Sequence, residues 1–307
     1  MNLVNKVFDI SKEFVDKSSY VLIVEDNLEK VAKDIKKELK DYKEFWMGYP
    51  KCIKAENGKN HEYELVAYEL IAGSINYCYW YGRHDIRPNN SSSTLMYELL
   101  DESFKEAKCT FNEHFSSLCY DAITIFIKKL SLYGFPMLEN RVKHLKEIQN
   151  SIKKNGVDII NTISYRSDRN ELSIEELLEI LVVNYPGYAG DIFLKRAFLF
   201  IMMLYRRLKW FKDEIYKVPI PADYQIPKML KYLGCIDYSS SLREIVDTNR
   251  QILSGSQMEC EIRAASIITC KKLAEETECS MTDIDTYLWL KRKECKDPFH
   301  LTITTDY

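Results

Sequence analysis

Apolar residues recurring at intervals of three and four run through most of this chain, a period that fits helices and little else. Leu28, Val31, Ile35, Leu39, Tyr42 and Trp46 form one such series behind the polar start Glu25, Asp26, Asn27, and charges fill the opposite face. Leu138, Val142, Leu145, Ile148 and Ile152 form another, opening just after Pro136, a residue suited to a helix N-terminus. Ala197 to Tyr205 is strongly apolar and bracketed by Lys195 and Arg196 on one side and Arg206 and Arg207 on the other. So short a run cannot cross a bilayer, which takes about 20 residues, and it reads as a buried helix.

Helix starts recur at short intervals. Ser173 with Glu176, Ser241 with Glu244 and Ser256 with Glu259 all have the capping-box spacing, and Asn184-Tyr185-Pro186-Gly187 stops the helix that begins at Ser173. Period-two alternation is confined to short stretches such as Leu301 to Thr305. The expectation is an all-α fold, a compact multi-helix bundle. There is no internal repeat and no low-complexity linker; the one polar, loop-like stretch is Arg83 to Ser93. Residues 1–307 therefore read as a single helical domain, with 1–71 as an N-terminal helical extension and 72–307 as the core. A chain of this length buries a substantial core without disulfides or metals.

Composition narrows the function. The 43 Lys and Arg against 46 Asp and Glu leave a net charge of −3, which argues against duplex nucleic acid as the main partner, since counterion release by a basic surface supplies most of such affinity. Nine irregularly spaced cysteines with no signal-peptide pattern suggest reduced thiols and a cytoplasmic protein with no membrane association. No GxGxxG or GxxxxGK[ST] phosphate cradle is present, no HExxH, no CxxC and no GxSxG elbow, and the five histidines are far apart. The expectation is no cofactor and no metal.

Four segments carry polar groups in unusual company. Asn76-Tyr77-Cys78-Tyr79-Trp80-Tyr81 and Pro186 to Tyr188 are dense in aromatics, which suit either a heterocyclic base or a core with its hydroxyls satisfied at the edge. Pro219 to Pro227 sets Asp223 among proline and apolar residues, either as the N-cap of the helix that follows or as a rigidly held carboxylate at a pocket floor; the two are compatible. Glu259-Cys260-Glu261-Ile262-Arg263 opens one helix and Asp283 to Trp289 another, where Asp285 and Trp289 share a face. Acidic residues in a first turn ordinarily complement the helix dipole, the default for Glu259, Glu261 and Asp283.

Taken in order, these segments resemble the queuosine salvage protein family, the queuosine 5′-phosphate N-glycosylases. The resemblance is most specific from Ala222-Asp223-Tyr224 and Pro227, through Leu233-Gly234, Tyr238-Ser239 and Glu261-Ile262-Arg263, to Asp285, Tyr287-Leu288-Trp289 and Pro298-Phe299-His300. Upstream, Asn76 to Trp80 looks like the family's asparagine-aromatic-tryptophan motif, Pro136 to Arg141 its proline-leucine-glutamate-arginine segment, and Tyr185-Pro186 with Phe193 to Ala197 its aromatic-lysine-arginine-alanine helix. The chain departs from the family pattern at Gln225, where an arginine is usual, at Tyr81 and Gly82, where a serine and an acidic residue are usual, and at Leu301, where a basic residue is usual. Those departures bear on substrate details more than on the reaction.

The resemblance implies an all-α fold similar to helix-hairpin-helix DNA glycosylases, acting on a small-molecule nucleotide to release the base queuine. It implies Asp223 as the catalytic carboxylate, stabilising a sugar cation and orienting water. The 5′-phosphate would fall to Lys195 and Arg196, at the start of a helix whose amides add to the cations. Arg206 lies about 16 Å further along that helix, and with Arg207 reads as a solvated or salt-bridged end. Tyr79 and Trp80 would stack on the deazaguanine, and Asp285 or Glu261 would meet its donor edge or the cationic amine of its side arm. Asn76, Tyr224, Tyr287 and His300 would line the site, and Arg263 would line it or pair with Glu261. A DNA-repair glycosylase of similar fold would need a basic groove, a flipped base and usually a lysine nucleophile or a helix-hairpin-helix glycine turn, and the net charge of −3 and the missing turn count against it; a helical nucleotide-binding module without chemistry would have no need of Asp223.

Overall fold

In a computed structural model of the protein, residues 2–39, 50–53, 60–81, 92–110, 115–155, 158–169 and 171–307 are described. Tyr42, Trp46, Gly82 and residues 83–91 of the polar stretch lie outside them. Among the described residues the fold is all-α. In order come α1 (Leu3–Asp16), α2 (Glu25–Glu38), α3 (Asn60–Ser74), α4 (Ser93–Thr110), α5 (Phe115–Leu132), α6 (Leu138–Asn155), α7 (Asp158–Asp168), α8 (Ile174–Asn184) and α9 (Pro186–Ala189). They are followed by α10 (Lys195–Leu208), α11 (Gln225–Tyr232), α12 (Ser240–Asp247), α13 (Gln257–Thr277) and α14 (Met281–Lys291).

Helix α10 owes its central place to its sequence: Ala197, Phe198, Phe200, Ile201, Met202 and Leu204 leave no polar stripe in its middle, and all are buried. Helix α13 is buried along most of its length for the same reason, through Ile262, Ala264, Ala265, Ile267, Cys270 and Leu273. Helices α1 and α2 pack on α13, α3 packs along α10, and α11 and α14 pack on each other and on α13. The face that α2 turns inward is Leu28, Val31, Ala32 and Ile35, the start of the series read from the sequence. Each of the leucine, valine and isoleucine side chains contributes about 1.5–3 kcal/mol when fully buried.

Helix α3 runs unbroken through residue 72, so the boundary drawn there between extension and core is not a break in the structure. The N-terminal segment is instead tied in by a pair of three-residue strands. Strand β1 (Val21–Ile23) runs antiparallel to β2 (Ile236–Tyr238), with Val21 opposite Tyr238. Three residues are too few to show a period of two, which is why the sequence did not reveal them. The expected strand at Leu301 to Thr305 amounts to an isolated bridge between Gln251 and Leu301.

Two helix starts match the sequence reading: the Ser173–Glu176 capping box is complete, and Ser256 accepts from the Glu259 amide. The third is corrected. Ser239, not Ser241, caps α12, accepting from Leu242 N at 3.3 Å. A second full capping box, Ser280 with Asp283, starts α14 with the shorter acid in the glutamate's place.

Candidate active site

The loop after α3, one face of α10, the segment entering α11 and one face of α14 together enclose a cavity of about 480 Å³, with the start of α4 closing it. That volume is in the range of small-molecule sites, about 300–1,000 Å³. Besides Arg207, the α10 wall is Lys195, Leu199, Met203 and Arg206. These residues lie four, four and three apart, a stripe about 16 Å long at 1.5 Å per residue. The α14 wall is Asp285 and Trp289, continued by Arg292, again four and three apart.

One buried ion pair sets the backbone on two sides of this cavity. Asp191 accepts from the amides of Phe193 and Lys195 at 3.0 and 2.8 Å, which fixes the first turn of α10. Its carboxylate is gripped by both arms of the Arg263 guanidinium, at 2.9 and 2.7 Å. Arg263 Nε then donates to Ala222 O at 3.1 Å, one residue before Asp223. A second buried arginine shapes the loop after α3: Arg141 donates to the carbonyl oxygens of Pro136, Ile75, Tyr77 and Cys78. Cys78 takes a positive φ of 27° there, and Asn76, Tyr77 and Tyr79 come to line the cavity.

Asp223 does both things that the sequence left open. Its Oδ1 accepts from the amides of Gln225 at 2.7 Å and Ile226 at 3.3 Å, so it caps α11, and the half-buried side chain also lines the cavity. Tyr224 lines it too, its ring 4.5 Å from that of Trp80 and 4.5 Å from that of Phe299. Lys195 donates to Asn76 O at 3.0 Å. Burial pushes the Lys195 ammonium down to about 8, an effect opposed by the charge of Asp223. Asp285 is pushed up to about 6 by burial, with Asp223 adding to the rise and the Arg206 guanidinium, 3.1 Å away, opposing it.

The residues singled out in the sequence thus divide. Asn76, Tyr79, Lys195, Asp223, Tyr224 and Asp285 come together around the cavity. Arg196 does not line it: the guanidinium is buried, donating to the carbonyl oxygens of Ser74 and Gly187. Of the first amides of α10 expected to meet a phosphate, that of Lys195 is occupied by Asp191. Trp80 is fully buried behind Tyr224. Glu261 holds the turn between α1 and β1, accepting from Ser18 Oγ and the amides of Ser19 and Tyr20. Arg263 pairs with Asp191 and Glu259 rather than with Glu261. Tyr287 faces away from the cavity and donates to Glu38 at 3.3 Å. His300 is buried 2.9 Å from the hydroxyl of Tyr307, which does line it.

Arg206 and Arg207, read as a solvated or salt-bridged end, are salt-bridged, Arg206 to Asp285 at 3.1 Å and Arg207 Nε to the buried Glu69 at 2.6 Å; what sequence reasoning missed is that both line the cavity. The signal was present, since the Lys195-to-Arg206 stripe has helical spacing. Among the described residues no group of histidines, cysteines and acids is arranged to hold a metal ion, and no helix is long and apolar enough to cross a membrane.

A match to the family described as Queuosine salvage protein extends over residues 56–306 and takes in every wall of this cavity except Pro50 and Lys51 at its edge and the final Tyr307. The chain belongs to the queuosine salvage protein family. Its relatives include a queuosine 5′-phosphate N-glycosylase/hydrolase of Dictyostelium discoideum, 26% identical over 94% of this chain and 95% of that protein. Proteins of the same description from Mus musculus and Sphaerobacter thermophilus are 23% and 24% identical, covering 82% and 79% of this chain and 85% and 81% of theirs. The departure at Gln225 falls on the cavity wall, where its Oε1 is buried without a hydrogen-bond partner among the described residues. The departure at Leu301 falls in the buried bridge to Gln251.

Proposed function

We propose that this protein hydrolyses the N-glycosidic bond of queuosine 5′-monophosphate and releases queuine, which becomes available for tRNA modification. The observation that carries the reading is Asp223: a carboxylate fixed by two backbone amides, on the wall of a nucleotide-sized cavity that also holds Lys195 and Asp285. The family relationship supports the same reaction. Breaking the bond leaves a sugar with oxocarbenium character, and a fixed negative charge beside the anomeric carbon lowers the energy of that state. The electron pair of the broken bond leaves with the base. Water adds to the anomeric carbon and its proton passes to the departing base, giving ribose 5-phosphate and queuine. Because a 7-deazapurine lacks the ring nitrogen at which ordinary purines are protonated, charge stabilisation carries more of the barrier.

Asp223 is the catalytic group in this reading. Tyr79 and Tyr224 flank the base, with Trp80 as the backing of Tyr224, and Asp285 meets the donor edge of the base or its cationic side arm. Asn76 contributes through the loop that its carbonyl anchors to Lys195. Arg196 and Arg263 act on the site through the backbone they hold and His300 through Tyr307, whereas Glu261 and Tyr287 hold groups away from the cavity. The substrate is a free nucleotide rather than duplex nucleic acid, and the protein works in the cytoplasm. Incubation of the purified protein with queuosine 5′-monophosphate is expected to yield free queuine by mass spectrometry; intact nucleotide after prolonged incubation overturns the reading.

The phosphate is assigned to Lys195. One ammonium proton goes to Asn76 O, and two remain for an anion in the cavity. Lys195→Ala is expected to weaken the monophosphate by about 1.5–3 kcal/mol more than the bare nucleoside, because only the former loses a charge-assisted contact. Titration calorimetry with both ligands checks this, and equal losses would make Lys195 a structural residue.

A further inference from the structure

Arg206 enters the cavity wall from α10 and crosses to α14, where it meets three partners within one helical turn. Its Nη2 donates to Asp285 Oδ2 at 3.1 Å, to Thr282 O at 3.1 Å and to Thr286 Oγ1. Both members of the ion pair are buried, with side chains 8% and 7% exposed, and both line the cavity. The contacts with Thr282 and Thr286 fix the guanidinium independently of the carboxylate, so it acts as a fixed positive charge against which Asp285 is oriented. A pair serving only to join α10 to α14 has no need to face a cavity, since replacing a buried ion pair by apolar groups is often neutral or stabilising.

We propose that Arg206 is a positioning residue of this site, holding Asp285 toward the bound base as an ionised carboxylate that accepts from the base's N–H groups or its cationic substituent. The proposal rests on the reading of the cavity as the nucleotide site. The charged and titratable groups facing Asp285 are Arg206 and Lys195 from α10, Asp223 from the segment before α11, and Cys270 from α13. Burial and Asp223 favour the protonated form and Arg206 and Lys195 the ionised one, which leaves Asp285 at about 6. Activity that needs the ionised form is lost as pH falls through that value. Removing Arg206 moves the loss to higher pH, by about one to three units for an opposite charge at this range.

The test is the ratio of kcat/KM for Arg206→Gln to that of the unaltered protein between pH 5.5 and 9. The ratio is expected to be lowest at the acid end, roughly tenfold below one for a shift of one unit and further below for a larger one, and to climb toward one at alkaline pH. Taking a ratio cancels the alkaline limb belonging to Lys195. Arg206→Lys, which keeps the charge, is expected to hold the acid limb near its original place, and Asp285→Asn to abolish it. Titration of the Asp285 carboxyl carbon by NMR reads the same shift without turnover, so that it separates failure of this proposal from failure of the hydrolase reading. A ratio constant with pH, or a carboxyl that titrates alike with Arg, Lys or Gln at 206, overturns the proposal. If Arg206→Gln does not fold, Arg206→Met, which also removes the charge, takes its place in both measurements with the same expected and overturning results.

Discussion

Asp223→Asn is expected to lower turnover by roughly two to three orders of magnitude, the loss typical of one preorganised electrostatic group, while leaving the fold almost untouched. The substitution isolates charge from geometry. Asn caps helices about as well as Asp, so the amide oxygen can still accept from Gln225 N and Ile226 N, and stability should change by well under ~1 kcal/mol. What disappears is the negative charge facing the developing sugar cation. Substrate affinity should survive, because that charge matters most after the bond has begun to break.

Asp223→Ala supplies the contrast. If Asp223 served only as a cap, Ala would cost about 0.5–2 kcal/mol of stability, with turnover per folded molecule preserved. Melting temperature, substrate affinity and single-turnover rate, measured on both variants, separate the two roles. An active, correctly folded Asp223→Asn protein would end the mechanism proposed here.

The helical class was legible because the three-and-four spacing is a local property, repeated often enough to survive individual exceptions. Asp223, Lys195 and Asp285 were legible for a different reason: each lies in a motif whose order along the chain resembles the family's. What the sequence concealed was which of two adjacent residues faces the cavity. Lys195 and Arg196 are neighbours on α10, about 100° apart around its axis, so one lines the cavity and the other reaches Ser74 and Gly187. Asp285 and Tyr287, two positions and about 200° apart on α14, divide in the same way. Asp191 escaped notice because its role depends on Arg263, 72 positions later, and no local pattern links the two. Lys195 and Arg206, about 16 Å apart along α10, nevertheless line one cavity.

Arg263 is expected to behave as a stability residue in spite of its place in a family motif. Arg263→Met should destabilise the protein by about 3–5 kcal/mol, since it leaves the carboxylates of Asp191 and Glu259 buried without their counter-charge. Asp191 is itself held below the ordinary carboxylate range: burial works to raise it, but the attraction and hydrogen bonds of Arg263, with the amides of Lys195 and Phe193, outweigh burial. A depressed carboxylate contributes stability that is present above its unfolded value of about 3.9 and is lost as pH falls through the lower folded value. In the Arg263→Met protein that contribution should vanish, so its denaturation midpoint should fall most, relative to the parent, at neutral pH and least in strong acid. Arg263→Lys should recover only part of the difference, because an ammonium cannot reproduce the two-pronged grip on Asp191 together with the bond to Ala222 O. Urea titrations of the three proteins at pH 7 and at pH 3 check both statements. Were Arg263 a substrate contact instead, Arg263→Met would keep its midpoint and lose affinity for the nucleotide, the reverse pattern.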